Sequence, residues 1–178
     1  MEKVVVWFRR ESEQLVTLVK TPEKFYKTQL EETNLKKARR FYIFILGVKI
    51  VVTFCEVILL SFSDLNALFL ISIVVSSVII FGLGYLGAGV LHLFAKLVGG
   101  KGDYKSSFQI YVYGSAPGLL IGRLPILGMV GYLYGIYLTF LAIQILHRIS
   151  KKKAFLLFVL IFLSALLLQA FSFSVAGV

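Results

Sequence analysis

The sequence is poor in charged residues and nearly without cysteine. Asp, Glu, Lys and Arg make up 16% of the 178 residues, apolar residues make up 58%, and the mean hydropathy is +0.88. Ordinary soluble domains have about 25% charged and about 45–50% apolar residues. A globule of this length could not bury so much apolar surface, which excludes a soluble domain and indicates an integral membrane protein. The single cysteine, Cys55, excludes an intrachain disulfide.

Signatures of catalysis, nucleotide binding and metal binding are also lacking. Lys101 is followed by Gly102 where a phosphate-binding loop needs Ser or Thr, and an apolar run precedes it. No serine has a histidine and an acid in motif context. His92 and His147, even with Asp103, supply too few metal ligands. We therefore predict that the protein is not an enzyme and needs no cofactor or metal.

Long apolar runs dominate what is present. Each run is about long enough to cross the hydrocarbon core, which takes about 20 residues, and lipid-exposed backbone must be helical. The sequence therefore predicts an all-α, polytopic membrane helical bundle. Its five predicted spans are residues 41–62, 67–98, 107–122, 125–147 and 154–177.

Basic residues predict the orientation of this bundle. They concentrate in the first forty residues and in the connections after spans two and four. The positive-inside rule then places the N-terminus in the cytoplasm and the C-terminus outside, as in a multi-pass protein of the cell membrane. The net charge of +10 does not indicate a nucleic-acid partner, because no aromatic-interleaved basic surface occurs. We expect anionic lipid headgroups to contact Lys36, Lys37, Arg39, Arg40, Arg148, Lys151, Lys152 and Lys153.

Residues 1–40 form a predicted basic, amphipathic arm ahead of the transmembrane domain of residues 41–178. Thr21, Pro22 and Glu23 read as an N-cap, a first-turn proline and a first-turn acid, and Thr33 or Asn34 interrupts the helix that they begin. Aromatic residues beside basic ones suit the headgroup region. The charged arm contains no signal-peptide pattern, so we expect no cleavage. It is predicted to lie at the membrane surface, where a cytoplasmic protein could dock.

Small residues and prolines interrupt the later spans. Gly99 and Gly100 predict the end of span two, and Asp103 or Ser106 caps span three. Pro117 predicts a short, kinked third span. Such positions allow close helix packing, and interrupted spans also mark substrate sites in transporters, so both interpretations stay open. The positions are Gly84, Ala88, Gly99, Gly100, Gly114, Pro117, Gly118, Pro125, Gly131 and Gly135.

Polar side chains within the predicted spans form a candidate intramembrane site. Lys49, Thr53 and Glu56 share one face of span one, at spacings of i, i+4 and i+7. Counting depth along the helices places further polar residues near them. The whole candidate set is Lys49, Thr53, Glu56, Tyr113, Tyr132 and Gln169. Polar groups that hold the helices together and a proton or ion path are both consistent with this pattern.

Two segments resemble the Yip1 domain family in its small prokaryotic form. They are HLFAKLVGGKGDYKSSFQIYVYGSAPGLL and LPILGMVGYLYGIYLTFLAIQILHRISKKKA. The shared elements are the glycine turn 99–102, Pro117, the start of span four at 124–128 and the basic turn 147–154. The arm stretch TPEKFYK also fits, with Pro22 and Phe25 in place. The likeness runs from about residue 21 to the end.

The resemblance implies a cytoplasmic arm followed by about five spans. Eukaryotic relatives are linked to Rab GTPases, vesicle traffic and membrane shaping, whereas prokaryotic members are mostly of unknown function. We carry over a non-enzymatic membrane scaffold or adaptor, able to form homo-oligomers, but not Rab binding. The alternative is a small transporter or ion-conducting protein that uses Lys49, Glu56 and the third span interrupted by Pro117.

Overall fold

The computed structural model describes residues 2–31, 34–60, 67–122 and 124–176. Within these ranges the chain is helical and contains no strand, which confirms the all-α prediction. The helices are α1 (Glu2–Lys20), α2 (Pro22–Glu31), α3 (Leu35–Leu60), α4 (Ala67–Leu97), α5 (Tyr104–Ile121), α6 (Pro125–Leu146) and α7 (Lys151–Ala176).

The arm forms two helices that meet at Thr21, as its cap and proline signals predict. The Asn34 side chain then starts α3, because its Oδ1 accepts hydrogen bonds from the backbone N–H groups of Lys36 and Lys37 at 3.0 and 3.3 Å. The predicted boundary between arm and bundle at residues 40 and 41 therefore falls inside α3. Thr33, the other predicted interruption, lies outside the described residues.

The turn between α4 and α5 is built as its sequence predicts. Helix α4 ends at Leu97, and Gly99 follows with φ of +85°, a conformation that favours glycine. Asp103 caps α5, since its Oδ1 accepts from the N–H of Ser106 at 2.8 Å and from its hydroxyl at 2.9 Å. Partial burial raises the pKa of Asp103, but the hydrogen bonds and the charge of Lys105 together lower it below its ordinary value.

Helix α5 is the centre of the bundle and is covered by α3, α4 and α6. It continues through Pro117 to Ile121, so the proline removes one hydrogen bond without ending the helix. Glycines bring α5 and α6 together: a Cβ at Gly135 would lie 2.6 Å from the carbonyl oxygen of Gly114. A Cβ at Gly118 would lie 2.9 Å from the Tyr132 ring.

Four helix ends meet at one end of the bundle, which we call the basic end. The N–H of Lys101 donates to the carbonyl of His147 at 2.9 Å, joining the α4–α5 turn to the α6–α7 turn. A Cβ at Gly99 would lie 3.3 Å from the Nζ of Lys153, at the start of α7. The basic end therefore contains the last turns of α4 and α6 and the first turns of α5 and α7.

Two helices in the described part of the chain are long and apolar enough to cross a membrane. Their candidate spans are Leu70–Leu97 and Ile126–Leu146. Only 17% and 33% of these windows are buried inside the protein, so most of their apolar side chains face outward. Their position on the outside of the bundle is that of helices that contact lipid rather than of a buried core.

Candidate functional site

The arm docks onto the bundle through a buried aromatic cluster. Phe25 and Tyr26 of α2 and Phe41 of α3 surround Tyr113 of α5, and all four side chains are buried. The ring centroids of Phe25 and Phe41 lie 4.8 and 4.9 Å from that of Tyr113, and the centroid of Tyr26 lies at 6.4 Å. Edge-on and tilted contacts at these distances are favourable beyond the burial of area alone.

Hydrogen bonds extend this contact along the α5–α6 hairpin. The Nε2 of Gln109 donates to the Oε1 of Gln29 at 3.3 Å, and both amides are buried. Farther along, the Tyr134 hydroxyl donates to the carbonyl of Val19 at 2.8 Å. The arm is thus a packed part of the bundle. From the sequence, the arm is predicted to lie at the membrane surface, and these contacts with α5 and α6 are not predicted.

One carboxyl group of α1 lies on the buried face of the helix. The side chain of Glu11 is 1% exposed, and its Oε2 accepts a hydrogen bond from the Nε2 of Gln14 at 3.2 Å. Burial raises the pKa of Glu11 above its ordinary value, against the opposing positive charges of Arg10, Arg40 and Lys37. An acid in this position makes docking of α1 sensitive to the charge around it.

A serine between two histidines links three elements at the basic end. The Ser107 hydroxyl lies 3.1 Å from the Nδ1 of His92 and 2.9 Å from the Nε2 of His147. One hydroxyl hydrogen can serve only one imidazole, so the other imidazole must donate its N–H to Ser107. The Ser107 hydroxyl also lies 3.5 Å from the carbonyl oxygen of Asp103, to which it can donate while both imidazoles donate to it. No group of three or more metal-ligating side chains occurs in the described residues.

A model of the Yip1 domain matches residues 17–173, which is nearly the whole chain. The chain belongs to the Yip1 domain family. Searches of the curated proteins and of the solved structures found no significant match. The match begins within α1, so α2 to α6 and all but the last three residues of α7 lie inside the Yip1 domain.

The candidate intramembrane site of this Yip1 domain is divided between different surroundings. Thr53 is 3% exposed, while Lys49 and Glu56 are half-buried and each interacts with a neighbouring group. Tyr113 belongs to the aromatic cluster, and its hydroxyl bonds to no described residue. Tyr132 is 59% exposed and packs against glycines of α5. The structure thus does not bring Tyr113 and Tyr132 together.

The remaining predicted positions follow the helix contacts already given. The Gln169 and Pro125 side chains lie outside the described ones. Gly84 lies against α3, since a Cβ there would be 2.6 Å from the Cε1 of Tyr42. Gly131 lies against α5, where a Cβ would be 2.7 Å from the Cγ1 of Ile121. Polar groups are less concentrated at these positions than at the arm.

Sequence reasoning missed the residues on which the arm contact depends. Glu11 and Leu18 are seven residues apart and share the buried face of α1, so an acid on an otherwise apolar helix face was the available signal. Gln29 and Gln109 are eighty residues apart. Ser107 likewise meets His147 from a distance of forty residues. No local spacing predicts either pair.

The stability of the domain is expected to fall in mild acid because of His147. This residue follows α6 and lies outside the candidate span Ile126–Leu146. Burial, with the nearby charges of His92 and Lys96, lowers the pKa of His147 from 6.5 to about 4, although Asp103 opposes the shift. The contribution of His147 to the free energy of unfolding is therefore fully present above pH 6.5. It is lost as the pH falls toward 4, by roughly 1–3 kcal/mol.

Unfolding in mixed micelles at several pH values measures this loss. The variant His147→Gln keeps a polar side chain without a titrating imidazole, and its stability should change less between pH 7 and pH 4. The matched variant His92→Gln leaves His147 in place and should retain most of the pH dependence. Equal pH dependence in the parent and in His147→Gln would contradict the assignment.

Proposed function

We propose that this protein is a non-enzymatic scaffold or adaptor of the cell membrane, with helices α3–α7 as five spans and its N-terminus in the cytoplasm. The arm is its working surface and is held in a fixed position on the bundle. Its partners in this proposal are anionic lipid headgroups and a cytoplasmic protein or a second copy of the chain. It needs no cofactor, metal or nucleic acid.

Helix length and outward-facing side chains support five spans. Helices α3 and α7 each contain 26 residues, or about 39 Å of helix, which exceeds the hydrocarbon thickness of about 30 Å. Large apolar side chains point outward from α4, α6 and α7, among them Leu86, Met129 and Phe155. Helix α5 has 18 residues and is shielded by its neighbours, so its length is less critical.

The distribution of positive charge supports the orientation. Arg148, Lys151, Lys152 and Lys153 are exposed at the basic end. At the start of α3, Lys36, Arg39 and Arg40 are exposed and Lys37 is half-buried. Tyr42, one turn later, contacts Phe108 in the first half of α5, so this second group lies toward the same end. Positive charge at one end of a bundle is typical of its cytoplasmic side.

The docked arm is the observation that carries the adaptor proposal. With its inner face packed on the bundle, α1 still exposes Val5, Phe8, Val16 and Val19 along one side. Beside these residues, on the same exposed surface, Arg9 and Glu13 form an ion pair at 3.1 Å. A rigidly held helix that exposes apolar and charged side chains together is suited to bind lipid or a partner helix.

Labelling from each side of the membrane tests the orientation. In a Cys55→Ser background, single cysteines replace Ser12 on α1 and Ser150 before α7. Both are expected to react only with reagent on the cytoplasmic side, and a tag after Val178 only with reagent outside. Labelling of Ser150→Cys and the C-terminal tag from the same side would contradict an odd number of spans.

Ion flux separates the adaptor from the transporter alternative. Proteoliposomes that contain the parent protein are expected to conduct protons and alkali cations no faster than empty liposomes. Flux in the parent that Glu56→Gln abolishes and Thr53→Val reduces would instead support transport along α3. Cys55→Ala, on the same helix and exposed, is the matched control.

A further inference from the structure

A cavity of about 350 Å³ lies where α1, α2 and the start of α3 meet. One basic side chain from each of the three helices lines it: Arg10, Lys24 and Lys37. Its volume is at the lower end of the range of about 300–1,000 Å³ for ligand pockets. It is therefore large enough for a small polar molecule or a lipid headgroup.

Acidic residues around the cavity are already engaged. Glu13 also lines it, and its carboxylate binds Arg9 at 3.1 Å. Glu23, on the neighbouring turn of α2, binds Lys27 at 2.6 Å. Glu11 is buried beneath α1 and is bonded to Gln14. Among the described residues that line the cavity, three side chains are basic and one is acidic, so this lining carries a net positive charge.

Its other walls are polar and fixed. The hydroxyls of Thr17, Thr21 and Thr28 line the cavity and each donates to a backbone carbonyl four residues earlier, at 2.8, 3.2 and 3.1 Å. Gln29 and Phe25 form its inner wall, and both are buried against α5. A ligand here would touch all three helices and the residues that dock the arm.

We propose that this cavity binds a phosphate group, carried either by a lipid headgroup or by a soluble phosphate ester, and that the bound phosphate fastens the arm to the bundle. Arg10 supplies a planar guanidinium able to bind two phosphate oxygens, and Lys24 and Lys37 supply point charges. A phosphate carries the one or two negative charges that such a set neutralises. This proposal rests on the proposed function, in which the docked arm is the working surface of the protein.

Binding to the purified full chain in nanodiscs tests the site. The lipid probe is phosphatidate in phosphatidylcholine, compared with phosphatidylcholine alone, and the soluble probes are glycerol 3-phosphate and inorganic phosphate. Binding of the lipid probe alone identifies the headgroup as the source, whereas binding of the soluble probes identifies a free phosphate ester. If none of the probes binds, the proposal is overturned.

Matched variants locate the binding. Arg10→Gln/Lys24→Gln/Lys37→Gln is expected to weaken binding roughly tenfold or more, because charge-assisted hydrogen bonds are lost. Lys3→Gln/Lys20→Gln/Lys101→Gln removes the same number of positive charges from exposed positions outside the cavity and should bind as the parent does. Equal weakening in both triple variants would show diffuse attraction to positive charge and overturn the proposal.

A third variant tests whether weaker binding results from release of the arm. Arg10 and Lys37 also act on Glu11, whereas Lys24 does not figure among the charges near it. Lys24→Glu should therefore reverse one charge in the cavity and weaken binding while the arm stays docked. The fluorescence of Trp7, the single tryptophan, reports docking because its ring packs edge-on against Phe44 at 5.8 Å.

The same fluorescence separates failure of this proposal from failure of the proposed function. If Trp7 of the parent protein is shielded from water but no phosphate probe binds, the docked arm is supported and the phosphate site is overturned. If Trp7 of the parent protein is exposed to water with and without probe, both the docked arm and the phosphate site are contradicted. Phosphate binding that further protects Trp7 in the parent, and not in Lys24→Glu, is the expected result.

Discussion

Replacing Phe25 with alanine is expected to release the arm and destabilise the protein by about 3–5 kcal/mol. The Phe25 ring is buried and lies 4.8 Å from the ring of Tyr113 at the centre of the docking cluster. Its removal leaves a cavity between α2 and α5 next to the Gln29–Gln109 hydrogen bond. Unfolding in mixed micelles measures the loss of stability, and Trp7 fluorescence measures release of the arm.

A second phenylalanine provides the control. Phe155 of α7 is 65% exposed on the outside of the bundle, so Phe155→Ala removes the same ring from a surface that can refill with lipid or detergent. Its effect should stay within about 1 kcal/mol. If Phe25→Ala proves no more damaging than Phe155→Ala, the arm is not held by the aromatic cluster.

Replacing Gly135 with valine is expected to separate α5 from α6 and to cost roughly 2–4 kcal/mol. A Cβ at this position would lie 2.6 Å from the carbonyl oxygen of Gly114, which is backbone and cannot rotate away. The two helices must move apart, and the loss spreads because α5 also supports α3 and α4. Stability in mixed micelles and the yield of folded protein both measure the effect.

Gly89 of α4 is the matched position, because a Cβ there would meet nothing within 4 Å. Gly89→Ala is expected to be neutral or to stabilise the helix by up to about 1 kcal/mol. Equal damage at Gly89 and Gly135 would mean that glycine acts through the backbone flexibility of single helices. Normal stability of Gly135→Val would mean that α5 and α6 are less closely packed than the structure describes.

The local elements of this Yip1 domain could be predicted because their signals lie within a few residues. Asp103 caps α5 through an N–H three residues later, and Gly99 ends α4 through its own φ. Thr21 and Pro22 mark the boundary between α1 and α2 in the same way. Hydropathy likewise predicts a helical membrane protein, because the hydropathy of each apolar run depends only on the residues within that run.

The start of α3 and the packing of the arm could not be predicted from the same signals. The apolar run begins at Phe41, but Asn34 starts the helix almost two turns earlier, so hydropathy and helix boundaries do not coincide. Docking depends on Phe25 meeting Tyr113, eighty-eight residues away, and on which face of α5 is turned toward α2. Depth counting predicted Tyr113 near Lys49 and Tyr132 near Glu56. It gives height along a helix but not direction around it, so it did not predict that Tyr113 packs against α2 and Tyr132 against glycines of α5.

The burial of α5 has a consequence for how the chain enters the bilayer. Its 18 residues include Gln109 and two buried serines, so as an isolated segment it is a poor substrate for lateral transfer from a translocation channel into lipid. Helix α6, apolar and facing outward, follows after a short connection. Biogenesis should therefore deliver the two segments as one unit, with α5 waiting in the channel until α6 has been synthesised.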